Sequence, residues 1–153
     1  MIALGLLLSL AGCTPGPESA PEPLPAVSAS SVPRQVTVFA IKAIPGGSTV
    51  DPQLSPVRAQ LRKILPDHGF ELILSRSERL EPGQALDCDL GAGRVAETIY
   101  EGDEAGRVSL RCSFKDGDSP PFSTRVDAPE NQLFFYERTL RDGSRVLIGV
   151  GAR

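Results

Sequence analysis

The sequence predicts an α+β domain: a βαβ start, a mostly antiparallel β-meander after it, and one main helix packed on the sheet. Three observations lead there. Apolar residues recur at helical spacing between Leu54 and Leu65. Later stretches alternate apolar and polar residues with a period of two, and turns rich in glycine separate those stretches.

The folded part begins at Arg34. QVTVFAIKA (35–43) is rich in β-branched residues and apolar on both faces, as a central strand is. After the turn IPGGSTV, Leu54, Val57, Leu61 and the Ile64/Leu65 pair fall on one helical face, while Gln60, Arg62 and Lys63 point elsewhere. Ser55 before Pro56 suits the N-cap and first helical position, Asp51-Pro52 a preceding turn, and Gly69 the stop. FELIL (70–74) is the next strand; if it runs parallel to the first in one sheet, the unit is a right-handed βαβ crossover.

The remainder reads as strands and turns. In QALDCDL (84–90), Leu86, Cys88 and Leu90 share one face and Asp87 and Asp89 take the other. A strand over 94–101 lies between the loop Gly91-Ala92-Gly93, which suits a hairpin with a bulge, and the five-residue loop Gly102 to Gly106, also of common length. RVSLRCSF (107–114) again alternates, with Val108, Leu110, Cys112 and Phe114 on one face. Strands over 122–126, 133–139 and 145–150 complete the domain, with Asp142-Gly143 at the last hairpin turn.

Two segments precede this domain. From Ile2 to Ala11 the chain is apolar apart from Gly5 and Ser9, yet a helix of that length falls well short of the ~30 Å hydrocarbon core of a bilayer. A short apolar run ending in small residues reads as the cleavage end of a secretory signal. Its last four residues, Leu10-Ala11-Gly12-Cys13, resemble the lipobox of bacterial lipoproteins. The resemblance implies a signal peptide over residues 1–12, cleavage before Cys13, and a diacylglycerol on the Cys13 thiol. By that family's sorting rule, Thr14 in place of aspartate implies the outer membrane.

Residues 13–33 then form a lipidated cysteine and a linker, TPGPESAPEPLPAVSASSVP, whose prolines interrupt any helix or ladder and which is expected to be disordered. At about 3.1 Å per residue in polyproline II geometry it spans roughly 60 Å. Residues 34–153 are expected to be a single domain. The block from Val36 to Leu74, with DPQLSPVRAQLRKILPDHGFELI inside it, resembles a group of exported bacterial proteins of unassigned function. That resemblance implies an exported βαβ-plus-meander domain and no activity.

With Cys13 given to lipid, Cys88 and Cys112 remain as a pair in an oxidising compartment, where a disulfide is the obvious expectation. The meander opposes it. Closing the two loops places Cys88 opposite Ala96 and Ala96 opposite Cys112, so the cysteines flank a whole strand. Two strand spacings of ~4.8 Å exceed the ~7 Å that a disulfide spans between Cα atoms. Either the thiols are free and buried, or the strands pair differently.

Catalytic constellations are not apparent. His68 is the one histidine, in Pro66-Asp67-His68-Gly69, and suits a helix stop; no Gly-x-Ser-x-Gly accompanies it. One histidine and two strand cysteines do not make a zinc set, and no cofactor is expected. Glu101, Asp103 and Glu104 in one loop and Asp116 with Asp118 in another are candidates for a weak calcium site, against the simpler reading of solvated turns. Asp87 and Asp89 read as surface charge. Gly46-Gly47-Ser48-Thr49 lacks the lysine of a phosphate loop, and Arg58, Arg62 and Lys63 form a basic helix flank without aromatics. A net charge of -3 excludes nucleic acid as an expected partner. The expectation is therefore a non-enzymatic interaction or assembly module, lipid-anchored at the outer membrane, facing the periplasm and engaging an envelope protein. The alternative is a periplasmic domain that binds a ligand, either calcium or a cell-wall fragment.

Overall fold

The computed structural model describes residues 32–153, so Cys13 and the segments around it lie outside the described residues. Eight strands follow in order: β1 (Arg34–Pro45), β2 (His68–Leu80), β3 (Ala85–Gly91), β4 (Arg94–Glu104), β5 (Arg107–Asp116), β6 (Phe122–Pro129), β7 (Leu133–Thr139) and β8 (Arg145–Ala152). A 3₁₀ segment, Pro52–Val57, and the short helix α1, Arg58–Ile64, lie between β1 and β2. The fold is mostly antiparallel β with one short helix, broadly α+β. It comprises two four-stranded sheets, β2-β1-β8-β7 and β3-β4-β5-β6. Because β8 pairs with β1, the strands follow their sequence order around a flattened ring, with unpaired seams where β2 meets β3 and β6 meets β7.

Alternation along each strand sets the core. Val36, Val38 and Ala40 of β1 and Val146, Ile148 and Val150 of β8 meet Leu86, Cys88, Tyr100, Leu110, Cys112 and Phe114 of the other sheet in one buried cluster. The opposite face of the first sheet carries a second cluster, in which Leu54, Val57, Leu61 and Leu65 cover Ile41, Ala43, Phe70 and Leu147. The helical spacing read from the sequence thus names the side chains that touch the sheet. Burying each contributes about 1.5–3 kcal/mol.

The expected parallel βαβ start is corrected: β1 and β2 are antiparallel, from Arg34↔Leu80 to Pro45↔His68. A parallel return would have to travel back along β1, about 40 Å at 3.3 Å per residue. The seven helical residues of α1 rise only about 10 Å. The excursion instead closes on itself, with Gly46 N–H donating to the Asp67 carbonyl at 2.9 Å. Gly47 and Gly69 cross so closely that a Cβ on Gly47 would lie 2.9 Å from the Gly69 nitrogen.

Ser55 and Gly69 are not the helix caps. Asp51 caps the 3₁₀ segment, its Oδ1 accepting from Gln53 N–H at 2.9 Å with Pro52 first in the segment, and α1 ends at Leu65. Gly69 lies inside β2, which continues six residues past the expected end, through SRSERL to Leu80.

The hairpins decide the cysteine geometry. Ala92 and Gly93 both have positive φ, as do Ala105 and Gly106, so both turns are two-residue type I′ turns, the first beside a bulge at Leu90. The second turn is tighter than the expected five-residue loop, and β4 runs on to Glu104. A bulge at Glu101 takes back one residue, leaving Cys112 opposite Thr98 rather than Ala96, with Cys88 opposite Ala96. Strand β4 still separates the two cysteines.

Candidate functional site

Beyond the helix, the outer face of the first sheet carries an open groove of about 410 Å³. One rung across the sheet lines it, together with Phe39 of the next. Ser77, Thr37, Gly151 and Leu133 lie side by side on β2, β1, β8 and β7, and Ser75, Phe39, Gly149 and Phe135 form the next rung toward the helix. On each rung β8 contributes a glycine, so its middle has no side chain. The Phe135 ring fills the space over Gly149, where a Cβ would lie 2.5 Å from the ring, while the main chain of Gln132 walls Gly151 at the same distance.

Polar side chains set the groove's chemistry. Gln35 Nε2 donates to Ser77 Oγ at 2.8 Å, and the hydroxyls of Thr37 and Ser77 share a hydrogen bond at 2.8 Å, so three side chains from two strands hold one another in place. Asn131 sits at φ 62°, a conformation that disfavours non-glycine residues, and its N–H donates to the Ala152 carbonyl at 2.9 Å. No acidic side chain lines the groove; Arg153 is its single charged side chain.

A partly buried ionic cluster sits at the same end of the molecule, where the chain enters β1. Arg34 Nε donates to Asp103 Oδ2 at 2.7 Å and its guanidinium also pairs with Glu130. The Tyr100 hydroxyl bonds Asp103 Oδ1 at 3.1 Å and lies 3.0 Å from the Val32 carbonyl. The hydrogen bond that Arg34 donates to Asp103 raises the guanidinium's pKa, and burial raises that of Tyr100. The opposite end has a counterpart of similar enclosure, Arg94 with Asp116 and Asp142. There, hydrogen bonds from Ser144 and then from Arg94 hold Asp142 down at about 2.

The residues singled out in the sequence are placed as follows. Cys88 and Cys112 are free, buried thiols in the cluster between the sheets. Burial pushes Cys112 up to about 12 and raises Cys88. His68 opens β2 opposite Pro45 and is no helix stop; its Nδ1 is buried without a partner.

The acidic loops do not assemble. Glu101, Asp103 and Glu104 belong to β4, where Glu101 pairs with Arg111 and Arg125 and Asp103 with Arg34. Among the described residues no group of three or more candidate ligands is placed to hold a metal ion. Asp87 and Asp89 lie exposed on β3. Gly46 and Gly47 spend their N–H groups on main-chain carbonyls, which leaves no cradle for phosphate. Arg62 donates to the Ser48 carbonyl at 2.6 Å and so fastens the helix.

Sequence reasoning missed Gln35, Thr37, Ser77 and Gly151. Two signals for them exist: Gln35 and Thr37 break the apolar run of β1 at alternate positions, and Gly149 and Gly151 sit two apart within a strand, where glycine marks a close approach. Comparison with protein-family models, with curated proteins and with solved structures finds no match for this chain.

Proposed function

We propose that this chain is a lipid-anchored cell-envelope protein. It is cleaved before Cys13, carries lipid on that residue, and displays its β domain on the 13–33 linker as a non-enzymatic interaction module. The observation that carries the reading is Leu10-Ala11-Gly12-Cys13 closing an apolar run immediately before a proline-rich segment. Two or three acyl chains, at about 0.8 kcal/mol per buried methylene, make such an anchor stable where one would be marginal. The placement proposed is the outer membrane, facing the periplasm, with an envelope protein as partner.

Feeding cells a clickable palmitate analogue tests the anchor. Label is expected on the natural chain and lost in Cys13→Ala, with the variant moving to the soluble fraction. Equal labelling of the two would sink the anchor. Photo-crosslinking in cells tests the module, which requires capture of an envelope protein.

A second reading, a periplasmic domain that binds a cell-wall fragment, is favoured by the groove on the first sheet. Its calcium version loses support, since arginines pair with Glu101, Asp103 and Asp116, three of the five carboxylates it would use.

A further inference from the structure

We propose that the groove over Thr37, Ser77 and Gly151 is a binding site for a neutral, N-acetylated oligosaccharide of the kind found in cell walls. The proposal rests on the binding reading of the domain but not on lipid at Cys13.

Three features point to this ligand class. First, the groove is of ligand size, within the ~300–1,000 Å³ of small-molecule sites, and Gly151 of β8 leaves its floor without a side chain. Second, apart from the Arg153 guanidinium, its polar side chains are amides and hydroxyls. Each of these both donates and accepts, as sugar hydroxyls and acetamido groups do, and the amides of Gln35 and Asn131 suit an acetamido group. The Gln35–Ser77–Thr37 relay fixes these groups before a ligand arrives, leaving Gln35 Oε1 free to accept, and preorganisation of this kind lowers the cost of binding. Third, half-buried Phe39 lies at the helix end of the groove and offers an apolar wall for the carbon face of a pyranose ring.

Other occupants fit less well. An extended peptide is held by main-chain bonds to an unpaired strand edge, whereas the floor strands β1 and β8 are paired on both sides. A polyanion would meet a single arginine side chain, and a lipid tail would leave the amides and hydroxyls without partners.

The test titrates tri-N-acetylchitotriose into the ¹⁵N-labelled full chain in detergent, with cellotriose, which lacks the acetamido groups, run in parallel. Saturable amide shifts are expected at Gln35, Thr37, Asn131 and Gly151 but not at Leu61 or in β4, with Kd on the order of 1 mM or tighter. Cellotriose should bind at least about fivefold more weakly, and Thr37→Val combined with Ser77→Ala should weaken chitotriose at least about tenfold. No saturable shift by on the order of 10 mM sugar, or equal affinity for the two sugars, overturns the proposal. The sugar comparison uses the unaltered chain and stands even if the double variant fails to fold. A crosslinked envelope partner without sugar shifts would leave the interaction module standing and remove the glycan.

Discussion

The outer face of the first sheet is two surfaces. Toward the end where β1 meets the helical excursion, Ile41, Ala43, Phe70 and Leu147 are covered by Leu54, Val57, Leu61 and Leu65, and the polar side chains Gln60 and Arg62 fasten the cover through bonds to the Leu133 and Ser48 carbonyls. Toward the other end the same strands line the groove with Gln35, Thr37 and Ser77, over a floor that Gly151 leaves without a side chain. The change happens at Phe39, which packs against the helix-side cluster and also lines the groove. Strand pairing is continuous across the boundary, so backbone architecture does not separate the two halves. Side-chain chemistry does: where outward positions are apolar a helix must cover them, and where they are amides, hydroxyls and glycine the face remains open for something else.

The largest effect should come from breaking the cover. Leu61 is fully buried between α1 and the sheet. Leu61→Ala removes a packed side chain from a small satellite core and should destabilise by about 2–5 kcal/mol. Urea unfolding of the natural and variant chains measures it. A loss below about 1 kcal/mol would mean that the helix rests on the sheet without supporting it.

The inner face is the reference for a dry surface, and pH reads its dryness. Burial raises Cys112 from 9.0 to about 12, so the folded state keeps a proton that the unfolded state gives up. The corresponding stability is fully present below pH 9 and falls as pH rises toward 12. Each pH unit in that window removes about 1.4 kcal/mol. Unfolding midpoints between those limits should decline for the natural chain and decline less steeply for Cys112→Ala. Parallel slopes would show that the thiol is not held protonated by its surroundings. Alkylation without prior reduction should modify Cys88 and Cys112 once the chain is denatured; protected, bonded cysteines would contradict the strand register.

How much of this was legible depended on what each segment must satisfy. Strands β3 and β5 have one dry and one wet face, so Leu86 with Cys88 and Leu110 with Cys112 announce themselves by alternation. The helix face was legible for the same reason. The direction of β2 was not, because periodicity in Leu54, Val57 and Leu61 says which side is buried and nothing about where the chain goes next. The second half of β2 was invisible: Ser75 to Arg79 lies on an edge strand exposed on both faces, so no pattern is imposed on it. The groove was missed because Gln35 and Thr37 were averaged into an apolar run. Only the pairing of Thr37 with both Ser77 and Gly151 turns those residues into a site. The register of Cys112 depended on a bulge at Glu101, beside Gly102 at φ 135°, a glycine that reads equally well as the start of a loop.

The smallest of these effects concerns the bare end itself. A Cβ on Gly151 would lie 2.5 Å from the Gln132 main-chain oxygen and 2.9 Å from Leu133 Cδ2; on Gly149 it would meet first the ring of Phe135, also at 2.5 Å. A side chain can rotate away, whereas the Gln132 carbonyl is held by the turn in which Asn131 takes its positive φ and bonds Ala152. Gly151→Ala should therefore cost about 1–3 kcal/mol by overpacking and shift the amide resonances of Asn131 and Gln132. Gly149→Ala should cost less and disturb the aromatic signals of Phe135 instead. Were Gly151→Ala neutral and Gly149→Ala severe, the groove wall would be the pliable element and the helix side the rigid one. The bare end would then be open because its loop gives way, not because glycine in β8 shapes it.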